Sequence, residues 1–130
     1  MPNAKTHIQA GLLITGITSL GFGLRFRTFN PFKLVLSLGL SVVASRLPDI
    51  LEPATSPNHR SFFHSFIFGL IISGLCYYIW RCLQDELTRN EADKVTTFKA
   101  LILEIVFIVL LCFSVHLVLD AFTKRSLPLI

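Results

Sequence analysis

Residues 100 to 122 read ALILEIVFIVLLCFSVHLVLDAF. Apart from Glu104 near one end and His116 and Asp120 near the other, the run is apolar. As a helix rising ~1.5 Å per residue it spans roughly 25 to 35 Å, enough to cross a bilayer with some tilt. Three comparable runs precede it. Ile8 to Leu24 carries no charge and contains Gly11, Gly16, Gly21 and Gly23, a composition suited to close helix packing in lipid. Pro31 to Leu47 opens with proline at a first helical turn and is expected to stop at Pro48. Ser61 to Trp80 begins with Ser61 as an N-cap and finishes in Tyr77, Tyr78 and Trp80, an interfacial aromatic belt.

The composition demands the same setting. Of 130 residues, 52% are hydrophobic and 15% charged, and a mean hydropathy of +0.64 exceeds what a soluble domain of this size carries. A soluble packing would leave most faces of four apolar runs in water. The expected fold is therefore all-α, a single integral membrane bundle of about four transmembrane helices covering residues 1–130. Residues 48–60, with Pro53 and Pro57, read as a loop, and 81–97, alternating in charge sign, as a solvated connection. A secretory signal would begin as the first run does, with Lys5 ahead of it, but the three runs that follow favour a membrane helix.

Cys76, Cys82 and Cys112 are odd in number and lack ligand spacing, so they read as buried free thiols. The net charge of +4 comes from basic residues scattered around apolar segments, which speaks against nucleic acid and for membrane flanks. Arg25, Arg27, Lys33, Arg81, Arg89, Lys94 and Lys99 lie on one side of the membrane. Lys5, Arg46, Arg60, Lys124 and Arg125 lie on the other. The excess leans towards termini outside the cytoplasm, in a bacterial-type inner membrane.

Four antiparallel helices bring the start of the first, the end of the second, the start of the third and the end of the fourth to one face. All four histidines fall there: His7, His59, His64 and His116, together with Asp49, Glu52, Arg60 and Asp120. The i, i+4 spacing of His116 and Asp120 puts both on one side of a helix, one turn apart. Imidazole and carboxylate together suit zinc or another first-row divalent ion. A lone histidine or aspartate near a helix end is ordinarily an interfacial residue or a cap, and for His7 alone that reading weighs at least as much. For the set, it would require unrelated accidents to coincide on one face. Glu104 reads as structural, paired with Lys99 or with another helix, and Asp85, Glu86, Glu91 and Asp93 as a solvated run.

Three segments carry a family resemblance: Leu-Pro-Asp-Ile at 47–50, His-Arg-Ser-Phe-Phe-His-Ser at 59–65, and His-Leu-Val-Leu-Asp-Ala-Phe-Thr at 116–123, followed by Leu127-Pro128. They resemble the ordered motifs of the LexA-regulated type of membrane-bound metal-dependent hydrolases, and His7 matches a histidine at the mouth of that family's first helix. Leu51 stands where the family often has a second aspartate, Ser61 and Phe63 replace a glycine and a threonine, and Ser126 replaces a glycine.

The resemblance implies a divalent-metal hydrolase, with zinc the first choice and manganese the second. His59, His64, His116 and Asp120 are the leading ligands, and His7 and Asp49 the next. Asp49 or Glu52 would serve as general base, Arg60 would hold an anionic phosphate, and Ser65 and Thr123 would orient the ligands. A site at helix ends lies at head-group depth, so a phospholipid or another amphiphile is the expected substrate. A chain this short would also suit a homo-oligomer or a membrane partner subunit. The rival expectations are a structural metal site, a metal transporter or a membrane-perturbing effector, and polar groups gathered at one face disfavour transport.

Overall fold

The computed structural model describes residues 4–51, 65–90 and 97–122 and contains, among them, helices and no strand. The helices are α1 (Ala4–Arg25), α2 (Pro31–Ala44), α3 (Leu47–Leu51), α4 (Phe66–Asn90) and α5 (Phe98–Ala121). Four segments are long and apolar enough to cross a membrane: Ala4–Arg25, Pro31–Leu51, Phe66–Asn90 and Phe98–Ala121.

Local chemistry sets the ends. Beyond α1, Arg27 takes a left-handed φ of 53°, and the Thr28 amide donates to the Gly23 carbonyl at 3.1 Å, closing the helix in a Schellman-type turn. Asn30 then caps α2, its side-chain oxygen accepting from the Phe32 amide at 2.9 Å, with Pro31 in the first turn. Pro48 does not simply stop the second span. It has no N–H for the carbonyl four residues back, at Ala44, and α2 ends there. The chain then restarts as α3, with Pro48 and Asp49 in its first turn, where a loop was expected. Ser65 caps α4 by accepting from the Phe68 amide at 3.1 Å, and Thr97 caps α5 by accepting from Ala100 at 3.1 Å. The cap expected at Ser61 lies outside the described residues.

α4 runs ten residues beyond Trp80, through half of the expected solvated connection. Leu83 and Leu87 recur on its inner face and bury against Phe26, Ala100 and Phe107. Glu86 sits between them and is not part of a solvated run. It pairs with Lys99 at 2.9 Å and accepts from the Thr97 hydroxyl at 3.0 Å.

α5 is the central helix, packed by α1, α2, α3 and α4 on different sides. The bundle is inside-out relative to a soluble protein. Leu13, Ile17, Val35, Ile71 and Val118 are exposed, while Thr15, Ser41, Ser45, His116 and Asp120 are buried. With lipid outside, helices gain from small and polar contacts. Gly11 shows this most sharply: an added Cβ would collide with the Ser45 hydroxyl and lie 3.5 Å from the Ser41 carbonyl oxygen, so α1 and α2 cross in near backbone contact. At the far end Glu104 pairs with Lys33 of α2, so its partner is another helix and not Lys99. Cys76 and Cys112 are buried free thiols, whereas Cys82 is half-buried.

Candidate metal centre

α1 begins at Ala4, so His7 stands inside the helix and its side chain points into the bundle, 4% exposed. It meets α5 there. The imidazoles of His7 and His116 stack with centroids 3.8 Å apart and planes 16° from parallel. Asp120, one turn further along α5, faces both: its Oδ1 lies 3.5 Å from His7 Nε2 and its Oδ2 3.4 Å from His116 Nε2. Ligand atoms of His7, His116 and Asp120 all fall within 4.8 Å of one another, and all three residues are buried.

α3 supplies the fourth group. By restarting at Leu47 it holds Asp49 Oδ1 3.5 Å from His116 Nε2, with the Asp49 side chain 39% exposed. Three donors are thus sealed in the bundle, while the fourth stands between them and the membrane surface.

A backbone contact sets the chemistry of His116. Its Nδ1 lies 2.7 Å from the Ser45 carbonyl oxygen, an atom that only accepts, so Nδ1 carries the proton and donates. Nε2 is therefore the nitrogen that faces Asp120 and Asp49 and would offer its lone pair to a bound ion, as in metal-ligating histidines whose other nitrogen donates to a carbonyl. The Ser45 carbonyl is available because α2 ends at Ala44. Sequence reasoning passed over this contact because a backbone acceptor leaves no side-chain signature. Only Pro48, which ends α2, hinted at it. His7 Nδ1 has no hydrogen-bond partner among the described residues.

The spacing fits a metal. Two ligands bonded at ~2.0–2.1 Å in tetrahedral geometry stand about 3.3 Å apart. The three N···O separations of 3.4 to 3.5 Å, two of them to different oxygens of Asp120, lie near that value and exceed the ~2.7–3.2 Å of an N–H···O hydrogen bond.

The structure thus brings together His7, Asp49, His116 and Asp120, with His7 as central as His116. His59 and His64 lie outside the described residues, as do Glu52, Arg60 and Thr123. Ser65 is buried and engaged as the α4 cap.

The family model of the YdjM inner membrane protein matches residues 1–130, the whole chain. The chain belongs to the YdjM inner membrane protein family. Membership agrees with the four candidate spans and makes the chain a multi-pass inner membrane protein. The family description gives a membrane location, so the hydrolase part of the resemblance rests on the residues themselves. No curated protein and no solved structure matches the chain.

Proposed function

We propose that this YdjM-family chain is a metal-dependent hydrolase whose site opens at one membrane face and acts on a phospholipid or another amphiphilic ester or phosphoester. Zinc is the preferred ion and manganese the alternative. The observation that carries the reading is the gathering of buried His7, His116 and Asp120, whose ligand atoms all lie within 4.8 Å of one another, with the more exposed Asp49 beside His116. A bound divalent ion would polarise the scissile group and lower the pKa of a water towards neutrality.

The chain's own residues do the rest. His7, His116 and Asp120 hold the ion, and the Ser45 carbonyl keeps His116 Nε2 ready to ligate. Asp49, the exposed member, takes the proton of the attacking water as general base. From their positions in the sequence, His59 and His64 complete or flank the ligand set, Glu52 is the alternative base and Arg60 engages a substrate phosphate. The basic residues flanking the spans favour a site facing away from the cytoplasm.

A second reading has one observation in its favour. Asp49 stands at the same spacing as the buried donors, so it can also close a four-ligand structural site that ties α3 to α5. Zinc-loaded protein in vesicles, offered fluorogenic carboxylic and phosphoric esters of amphiphiles, separates the two. On the hydrolase reading the wild type turns over, and Asp49→Asn keeps its metal while losing roughly 10²–10⁴-fold in rate. Metal-loaded wild type that hydrolyses neither ester class, or an Asp49→Asn variant as fast as wild type, contradicts it.

A further inference from the structure

α1 and α4 both pack on α5 but diverge over it, leaving a cleft of about 570 Å³. Its floor and walls are Phe107, Leu111 and Ser114 of α5, Phe22 of α1, and Ser73 and Cys76 of α4. The volume falls in the ~300–1,000 Å³ range of single-ligand sites. Its position is the reverse of the metal centre's. The metal centre sits at the start of α1 and the end of α5, whereas the cleft's mouth is marked by Arg25 at the end of α1 and by Trp80 and Gln84 late in α4.

We propose that this cleft binds one anionic phospholipid from the leaflet opposite the metal centre, its acyl chain along the apolar wall and its phosphate at Arg25. The inference does not depend on the hydrolase reading. An apolar cleft open to the bilayer core has hydrocarbon as its surrounding solvent, so an acyl chain is the occupant its chemistry admits. Charge selects the head group. Arg25 is the only charged residue among those lining the cleft.

Other cations towards this side have partners: Lys33 pairs with Glu104, Lys99 with Glu86, and Arg81 reaches the Tyr77 hydroxyl at 3.5 Å. Arg25 instead lies 5.2 Å over the Phe26 ring, and no carboxylate pairs with it among the described residues. A guanidinium offers a phosphate paired donors, and the Gln84 amide and the Trp80 indole N–H add neutral ones at the same mouth. Trp80 also places that mouth at interfacial depth.

Trp80 is the chain's single tryptophan and stands at the cleft's mouth, so a difference in quenching between two lipids reports on which of them occupies that mouth. The full chain is reconstituted in phosphatidylcholine vesicles, and small equal fractions of dibrominated-chain phosphatidylglycerol or phosphatidylcholine are added as quenchers. The expected result is quenching by the anionic lipid at about fivefold lower mole fraction, the factor one basic side chain contributes at an anionic lipid surface. Arg25→Gln should bring the two lipids together. Gly21→Leu, at a cleft-lining position where an added Cβ meets nothing within 4 Å, should fill the cleft and remove the preference without disturbing packing. Equal quenching in the wild type, or a preference that persists in both variants, overturns the proposal. So does absence of quenching by either lipid, which would mean that a second copy or another part of the chain covers the cleft.

Discussion

Replacing Gly11, one helical turn after His7 on α1, with alanine adds one methyl group directly against Ser45, the residue whose carbonyl orients His116. The new Cβ would collide with the Ser45 hydroxyl, stand 3.1 Å from Ser45 Cβ and 3.5 Å from the Ser41 carbonyl oxygen. Ser45 is 1% exposed, so its side chain has little room to turn aside, and α1 and α2 must separate. Overpacking of this kind costs about 1–3 kcal/mol. The same displacement moves the Ser45 carbonyl, 2.7 Å from His116 Nδ1, and disturbing such an outer contact lowers metal affinity roughly 10–100-fold.

Thermal unfolding in detergent reads the first effect, and zinc titration against a competing chelator reads the second. Ser45→Ala alone should be nearly neutral, since its buried hydroxyl can lose no more than a weak contact with the Cys112 thiol and the backbone carbonyl is retained. In the Gly11→Ala background it should recover part of both losses, because the collision with the hydroxyl is gone while the Cβ contact remains. If Gly11→Ala matches wild type in both assays, the account of the α1–α2 crossing is wrong. If Ser45→Ala restores nothing, the hydroxyl is not the obstacle.

Two further expectations concern charge. Lys33→Met or Glu104→Gln alone should destabilise by about 3–5 kcal/mol, because either leaves one partner of a largely buried ion pair, while the double Lys33→Met, Glu104→Met variant should regain most of that in the same unfolding assay. Single variants as stable as wild type would show that the pair is solvated. A cysteine placed at exposed Arg46, with Cys82 changed to serine, should react with a membrane-impermeant maleimide in intact cells if the metal centre faces away from the cytoplasm. Labelling only after the membrane is breached would reverse that orientation.

What could be read from the sequence followed from how strongly each feature is encoded. The four spans announce themselves because a helix in lipid must be apolar for about 20 residues, and the runs ending at Leu24, Leu47, Trp80 and Phe122 have that length. The facing of His116 and Asp120 was legible because i, i+4 spacing on a helix is fixed geometry. The last ten residues of α4 were not, because only Leu83 and Leu87 mark a buried face there and the charges between them look solvated until Lys99 and Thr97 return to meet Glu86. Glu104 read correctly as structural, but its choice of Lys33 over Lys99 depends on α2 and α5 lying side by side, which no local pattern encodes.

The placement of His7 was hard to read for a related reason. One residue in the first turn of a helix carries no periodicity, and its position in the cluster emerges only from the ring of His116 stacked on it. α3 escaped notice because Pro48 ends one helix and can equally begin another, and that second use aims Asp49 at His116.

Metal content bears most directly on the whole account. Elemental analysis of detergent-purified protein, prepared without chelators, should find about one equivalent of zinc or manganese in the wild type and little in a His7→Ala, His116→Ala variant that still folds. Wild-type protein that carries no metal and takes up none on titration with zinc or manganese would contradict the metal centre, and with it the hydrolase reading.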